Sequence, residues 1–335
     1  MSGARCFSKD VLNLDSAEET TKICHNMREV MLNQIKRRGV VIGLSGGIDS
    51  SVTAALAVQA FGKERVIGLE MPERHSAEET LRFSGMVADT LGIRTIREDI
   101  SGILNSVGCY RRYDDAVRQV VPEYGDGWKS KIVTSDIMVQ RGFTTFSIVA
   151  QDPDNFITKK RLPLRPYLEI VAATNFKQRT RKMLEYYHAD RLHYCVAGTP
   201  NRLEYELGFF VKLGDGAADI KPIAHLYKTQ VYQLAEHLNI PEEIRTRKPT
   251  TDTYSLAQGQ DEFYFSLPYD MMDLCLFGKD NFVPLDQVAY ALELTTDQIA
   301  GVFEDIDTKR RTTRYLHLPP LLVGNIMKTV EYSMH

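Results

Sequence analysis

The sequence lacks the features that would place it outside a reducing interior or inside a membrane. Its 335 residues include five cysteines (Cys6, Cys24, Cys109, Cys195 and Cys275), scattered with no CxxC pair and no zinc-type spacing with histidine. An odd, dispersed set argues against a disulfide framework and for a reducing compartment. No stretch approaches a membrane span and the N-terminus has no apolar signal core, so a cytoplasmic protein without membrane contact is expected. Charge of one sign is not in excess. The formal net charge is -3, which gives no global pull towards nucleic acid. Repeats and low-complexity tracts are also missing. What remains, 43% hydrophobic and 25% charged, is ordinary composition. It suits one large α/β domain over residues 1–335 that buries its core without staples.

Ile23, Met27, Val30, Met31 and Ile35 recur at helical spacing within 16–38, with Ser16 as cap, and residues 1–15 read as loosely structured. Residues 40–44 form an apolar run that reads as a buried strand. A helix over about 49–61 stops at Gly62, a second strand spans 66–71, a helix 76–91, and a third strand 93–96. Alternation of this kind predicts a doubly wound parallel sheet flanked by helices, with ligands at the carboxyl ends of its strands. Residues 101–170 break the rhythm. Segments 143–151 and 156–162 flank the turn signal Asp152-Pro153-Asp154-Asn155 and predict a β-hairpin inside an insertion. The alternation resumes with a helix over 175–188, a strand over 194–197, a helix after Asn201 and another over 228–238.

The segment VVIGLSGGIDSS at 40–51 carries the chemistry. A strand running through Ser45-Gly46-Gly47 into a helix aims backbone N–H groups at an anion, with Ser45 and Ser50 as further donors. The turn has no Walker lysine; it has Asp49, a carboxylate that phosphate repels unless a cation lies between them. Asp49 is therefore expected to hold a metal ion such as Mg2+ against pyrophosphate, although an aspartate near a helix start also serves the helix dipole.

SGGxDS after a buried strand resembles the signature of the N-type ATP pyrophosphatases. The blocks NFKQRTRKM (175–183), AGTPNRLEYELGFFVKLGDGAADIKPI (197–223), LYKTQVYQLAEHL (226–238) and RKPTTD (247–252) narrow the resemblance. So do Gln260-Asp261-Glu262, Tyr269-Asp270, Asp273 and the basic tail KRRTTRYLHLPP (309–320). Together they resemble the ammonia-dependent NAD synthetases. That resemblance implies adenylation of the nicotinate carboxylate of deamido-NAD, then displacement of AMP by ammonia. It implies Glu204 as second Mg2+ carboxylate beside Asp49, Thr199 on ATP, and Lys228 and Thr250 on the ATP phosphates. Lys212 and Asp215 fall at the amidation end, Asp219 in the same block, and Asn175 and Arg179 on the dinucleotide. A homodimer is implied as well, with the 16–38 helix as a candidate interface. Plainer readings stand beside these: a solvated helix residue for Glu204, a surface charge for Lys228, a basic helix face for 175–183, and a surface turn for KLGDGAAD.

Three departures from the family pattern concern the acceptor side: Pro200, the FYFS stretch with Phe265 and Ser266, and the long insertion. They leave open the same chemistry on another carboxylate. A tRNA-modifying ligase would want paired cysteines or an appended basic domain, and a non-catalytic binder would have lost a metal carboxylate. About forty residues precede the glycine turn, too few for a glutaminase domain, so free ammonia or a separate glutaminase subunit is the expected nitrogen source.

Overall fold

Alternate residues of the first strand face two different cores, and that divides the molecule into layers. The structure is a computed structural model that describes residues 7–76, 78–134, 146–247, 250–251, 254–256, 258–259, 264–265 and 267–324. Four parallel strands pair in the order β3 (Arg94–Arg97), β2 (Val66–Glu70), β1 (Val40–Gly43), β7 (Cys195–Ala197). The register sets Val40 opposite both Val66 and Cys195. Val40, Ile42 and Val66 join Ile23 and Met27 of α1 (Ser16–Val30), Val52 and Leu56 of α2 (Ile48–Phe61), Phe83 and Val87 of α3 (Glu78–Leu91), and Val231 and Leu234 of α8 (Lys228–His237). Val41, Ile67, Leu69 and Val196 point the other way. They meet Leu104 of α4 (Ser101–Ser106), Tyr110 of α5 (Cys109–Arg118) and Ala189 of α6 (Leu164–Leu192). A strand buried on both faces reads as a continuous apolar run because neither face meets water. Each such Val, Ile or Leu contributes about 1.5–3 kcal/mol.

The insertion carries its own antiparallel sheet, β4 (Lys129–Thr134), β5 (Phe146–Gln151) and β6 (Ile157–Arg161), in sequential order. The hairpin is present: Ser147 pairs with Arg161 and Gln151 with Ile157, and the side chain of Asp152 accepts from Phe156 N at 2.8 Å. Residues 143–145 of the expected span lie outside the described residues. Ile148 and Ala150 turn inward onto Tyr113 and Val117 of α5 and Ile170 of α6. A third core gathers α7 (Arg202–Leu207), α10 (Tyr269–Asp280), α11 (Leu285–Leu292) and α12 (Thr296–His317). The short α9 (Glu242–Arg245) and the two-residue pair β8 (Thr250–Thr251) and β9 (Gln258–Gly259) lie between α8 and α10.

Local chemistry explains where the boundaries differ from expectation. Asp15, not Ser16, caps α1, its carboxylate accepting from Ala17 N and Glu18 N at 3.1 and 3.0 Å. That helix ends at Val30, passes through a π turn and stops at Lys36 in the left-handed region (φ 52°). Residues 7–15 are not loose. Phe7 and Leu12 bury themselves in the third core, and Lys9–Leu12 forms a 3-10 turn. The helix expected over 175–188 is 29 residues long; it starts as early as Leu164, with Pro163 as its N-cap and Pro166 in its first turn, where backbone N–H groups have no intrahelical partner.

Candidate functional site

The glycine turn lies where β1 hands over to α2, at the carboxyl edge of the sheet. Gly46 has φ +67°, and a Cβ there would stand 2.7 Å from Phe83 Cβ, so both backbone angle and packing demand glycine. Ser50 Oγ donates to Gly47 O at 2.9 Å and lies 3.2 Å from Ser45 Oγ, which itself accepts from Gly47 N at 3.3 Å. Two serines thus brace the loop from within.

Asp49, in the first turn of α2, is reached from two other elements. The Lys228 ammonium, first residue of α8 and 1% exposed, donates to Asp49 Oδ2. Asn201, wholly buried, donates its side-chain N–H to Asp49 Oδ1 at 3.2 Å. Asn201 also forms a capping box at the start of α7: its side-chain oxygen accepts from Glu204 N and its backbone N–H donates to Glu204 Oε2, both at 3.2 Å. One asparagine therefore ties the two carboxylates to each other. The N-x-x-E spacing was the signal for it, although Pro200-Asn201 reads from sequence only as a stiff departure. Asp273 of α10 is a second residue whose role the motif did not reveal. It accepts from the first two N–H groups of α8, Lys228 N at 3.2 Å and Thr229 N at 2.7 Å, and so fixes where the lysine starts.

Electrostatics follow from this enclosure. Burial alone would push Lys228 down, but Asp49 and Glu204 outweigh it and hold the ammonium above its ordinary value. Glu204 is pushed up to about 8, by burial first and then by the charge of Asp49, with Lys228 opposing. Asp273 rises to about 6 through burial, against the backbone N–H groups of Thr229 and Lys228 that favour its charged form.

Asp49, Glu204 and Lys228 face a cavity of about 500 Å³. Of the residues singled out from sequence, Ser45, Gly46, Gly47, Asp49, Ser50, Asn175, Thr199, Glu204, Asp215 and Lys228 line it. Arg179, Lys212 and Asp219 do not. Lys212 Nζ donates to Tyr315 O and Leu318 O at 2.7 and 3.1 Å, holding the carbonyl end of α12, and Arg179 Nε reaches Lys212 O at 3.3 Å. Asp219 accepts from Val196 N at 2.8 Å and from the Tyr186 hydroxyl at 3.2 Å, so it braces β7. Thr250 has its backbone in β8; its side chain lies outside the described residues, as do Gln260-Asp261-Glu262, Phe263 and Ser266. Tyr264 lines the cavity, whereas Phe265 packs in the third core.

The basic face of α6 that does line the cavity is Lys177, Arg181 and Lys182, with Gln178 and Glu185. Spacing by four from the buried Lys177 leads to Arg181 and Glu185, and Arg179 is about half a turn away from Arg181. Lys177 Nζ is bonded to Glu73 Oε1 at 2.7 Å, and the Tyr110 hydroxyl donates to Glu73 Oε2 at 2.8 Å.

Among known proteins, the profile of the NAD synthase family matches residues 19–123 and 144–315. The NH(3)-dependent NAD(+) synthetase of Rhizobium meliloti (strain 1021) is 57% identical over 317 residues, covering 95% of both chains. That of Thermotoga maritima is 35% identical over 259 residues, covering 75% of this chain and 85% of the relative. The fold is shared with the solved NH3-dependent NAD synthetase from Campylobacter jejuni in complex with the nitrate ion, at TM-score 0.60 and 23% identity, covering 93% of this chain and all of that one (100%). It is shared also with the NMN synthetase from Francisella tularensis, at TM-score 0.59 and 20% identity, covering 92% and 99%.

Proposed function

The chain belongs to the NAD synthase family, and from that membership we propose an assignment of the reaction to the residues of this cavity. The enzyme is an ATP-dependent ligase: it adenylates the nicotinate carboxylate of deamido-NAD, releases pyrophosphate, and lets ammonia displace AMP to give NAD. The same chemistry on another carboxylate is not favoured, since a relative 57% identical over 95% of its length is an NH(3)-dependent NAD(+) synthetase by name.

The observation that carries the assignment is the linkage Lys228–Asp49–Asn201–Glu204 beside the glycine turn. Backbone N–H groups of the turn, with Ser45 and Ser50, take ATP phosphates; Thr199 and Thr250 belong with them. Lys228, already desolvated and aimed at Asp49, neutralises charge that builds on departing pyrophosphate without reorganising. Asp49 and Glu204 fit Mg2+: both are hard oxygen donors, and the charge of Asp49 disfavours that of Glu204 until a dication relieves it. When bound, the ion supplies Lewis-acid charge stabilisation at the phosphates. Asn201 keeps the two carboxylates in register, and Asp273 keeps Lys228 in place. Asn175 and Arg181 of α6 offer a donor and a cation to the dinucleotide, and Arg181 takes the part the sequence assigned to Arg179. Asp215, Lys212 and Asp219 shape the loop at the amidation end.

The chain acts as a homodimer on free ammonia, or on ammonia delivered by a separate glutaminase. The surface that fits a second copy is on α6, where Leu164, Leu168, Met183 and Tyr187 are 72, 54, 55 and 59% exposed. A reducing cytoplasm suits the buried free thiols Cys24, Cys109, Cys195 and Cys275. Among the described residues no helix is long and apolar enough to cross a membrane.

The test is AMP and pyrophosphate release from ATP and Mg2+ plus ammonium, with and without deamido-NAD, the product identified by mass spectrometry. Release that needs deamido-NAD and yields NAD is expected. Release driven equally well by unrelated carboxylates would sink the assignment.

A further inference from the structure

Glu185 sits on the cavity face of α6, 7% exposed, in a place where a helix packed on a sheet asks only for an apolar side chain. One oxygen, Oε2, accepts from Lys182 Nζ at 2.5 Å. The other lies against Gly43, the last residue of β1, so closely that a Cβ built there would stand 2.9 Å from it. Among the described residues this Oε1 has no hydrogen-bond partner. That oxygen is not sealed from solvent, and Glu185 lines the cavity, so a donor that enters the cavity can reach it.

The idle oxygen lacks a donor, and the reaction supplies one. Near neutral pH the nitrogen source is mostly ammonium, which has four N–H donors and no lone pair, and one proton must leave before it can attack. Gly43 is separated by a single residue from Ser45, where the glycine turn begins, so Glu185 and the turn line the same cavity. The charges facing it are Lys182 and Arg181 from its own helix and Asp215 from the loop opposite. Burial pushes the Glu185 carboxyl up, Lys182 pulls it down, and Asp215 adds to the rise, leaving it above the usual carboxylate range and nearer to a working base.

We propose that Glu185 is a catalytic residue that receives ammonium at the cavity wall through Oε1 and removes its proton, with Lys182 as the positioning residue that holds the carboxylate ionised and aimed. The proposal rests on the amidation reading above. In the step, the carboxylate takes one proton from ammonium, becoming a carboxylic acid and leaving ammonia. The nitrogen lone pair forms the C–N bond at the acyl carbon. The C–O bond to AMP then breaks with its electron pair on the phosphate oxygen, and the surplus N–H proton leaves on AMP or to water.

The experiment compares Glu185→Gln with the unaltered enzyme using ammonium and hydroxylamine as nucleophiles, since hydroxylamine is already neutral near pH 7 and needs no deprotonation. The kcat/KM for ammonium is expected to fall about a hundredfold, and that for hydroxylamine far less. Gly43→Ala, whose new methyl displaces Oε1 without removing it, is expected to show the same bias more weakly. Equal losses with both nucleophiles, or an unchanged ammonium kcat/KM, overturn the proposal. Pyrophosphate exchange into ATP, measured with deamido-NAD on the unaltered enzyme, separates the two layers. Its absence defeats the amidation reading itself, whereas exchange without a nucleophile-specific defect in the variants defeats only Glu185.

Discussion

Lys228 carries an ammonium on a side chain that is 1% exposed, and Asp49 is what makes that tolerable. On the assignment proposed above the pair has two duties, a catalytic one at the phosphates and a structural one between α2 and α8, and mutation separates them. Asp49→Asn is expected to abolish pyrophosphate release and also to lower stability by about 3–5 kcal/mol, because it strands a buried charge. Lys228→Met added to it restores much of the lost stability and none of the activity. Urea denaturation of the single and double variants measures the first effect, and AMP release the second. An Asp49→Asn variant as stable as the unaltered enzyme would remove the structural duty. At this scale the place of Asp49 in the cavity was legible, because a carboxylate at a turn built for phosphate calls for a cation. Which cation of α6 lines the cavity was not, because NFKQRTRK offers several within one turn or so of helix, and only the packing of Lys177 shows which of them turn inward.

At the scale of the element, α6 joins both halves of the proposal. Its inner face supplies Lys177, Arg181, Lys182 and Glu185 to the cavity, and its outer face carries large apolar side chains that are exposed among the described residues. Leu164 and Leu168 near one end pair with Tyr187 and Met183 near the other symmetrically about the midpoint between residues 175 and 176. A second copy laid antiparallel across that midpoint sets Leu168 against Met183 twice, as an isologous contact requires. The helix of 16–38 is less suited, since Ile23, Cys24 and Met27 already spend its apolar side on the internal core. Leu168→Asp is expected to shift the chain from dimer to monomer in light scattering at micromolar concentration without unfolding it. A dimer undiminished by Leu168→Asp and Met183→Glu together would place the interface elsewhere.

At the scale of the whole molecule, a buried polar cluster binds the loop after β2 to α5 and α6. In it Glu73 accepts from Lys177 and Tyr110, with His75 Nδ1 3.4 Å from Lys177 Nζ. His75 is lowered from 6.5 to about 4, by burial first and then by Lys177. The unfolded chain therefore binds this proton at a higher pH than the folded one does. The contribution to stability is complete above pH 6.5 and is lost as pH falls towards 4. Asp273, raised from 3.8 to about 6, slopes the opposite way between those values, so the total curve mixes the two. The difference between the unaltered protein and His75→Gln isolates the histidine. The variant is expected to lose less stability between pH 6.5 and 4 in thermal melts, and parallel curves would show that His75 is not held neutral.

The sequence by itself determined the sheet, the turn and the chemistry. Apolar runs of four or five residues between amphipathic helices admit few arrangements other than a doubly wound parallel sheet, and an aspartate after two glycines raises the expectation of a cation by charge balance. Tertiary structure alone decided which polar residues share the cavity. Asn201 reaches Asp49 across 152 positions and Lys228 reaches it across 179, distances over which no local pattern carries information. Lys212 and Asp219 likewise stand in a block rich in functional types, yet their hydrogen bonds go to the end of α12 and to β7. A motif specifies which residue types are near one another along the chain; the direction each side chain takes is set by the packing of helix on sheet.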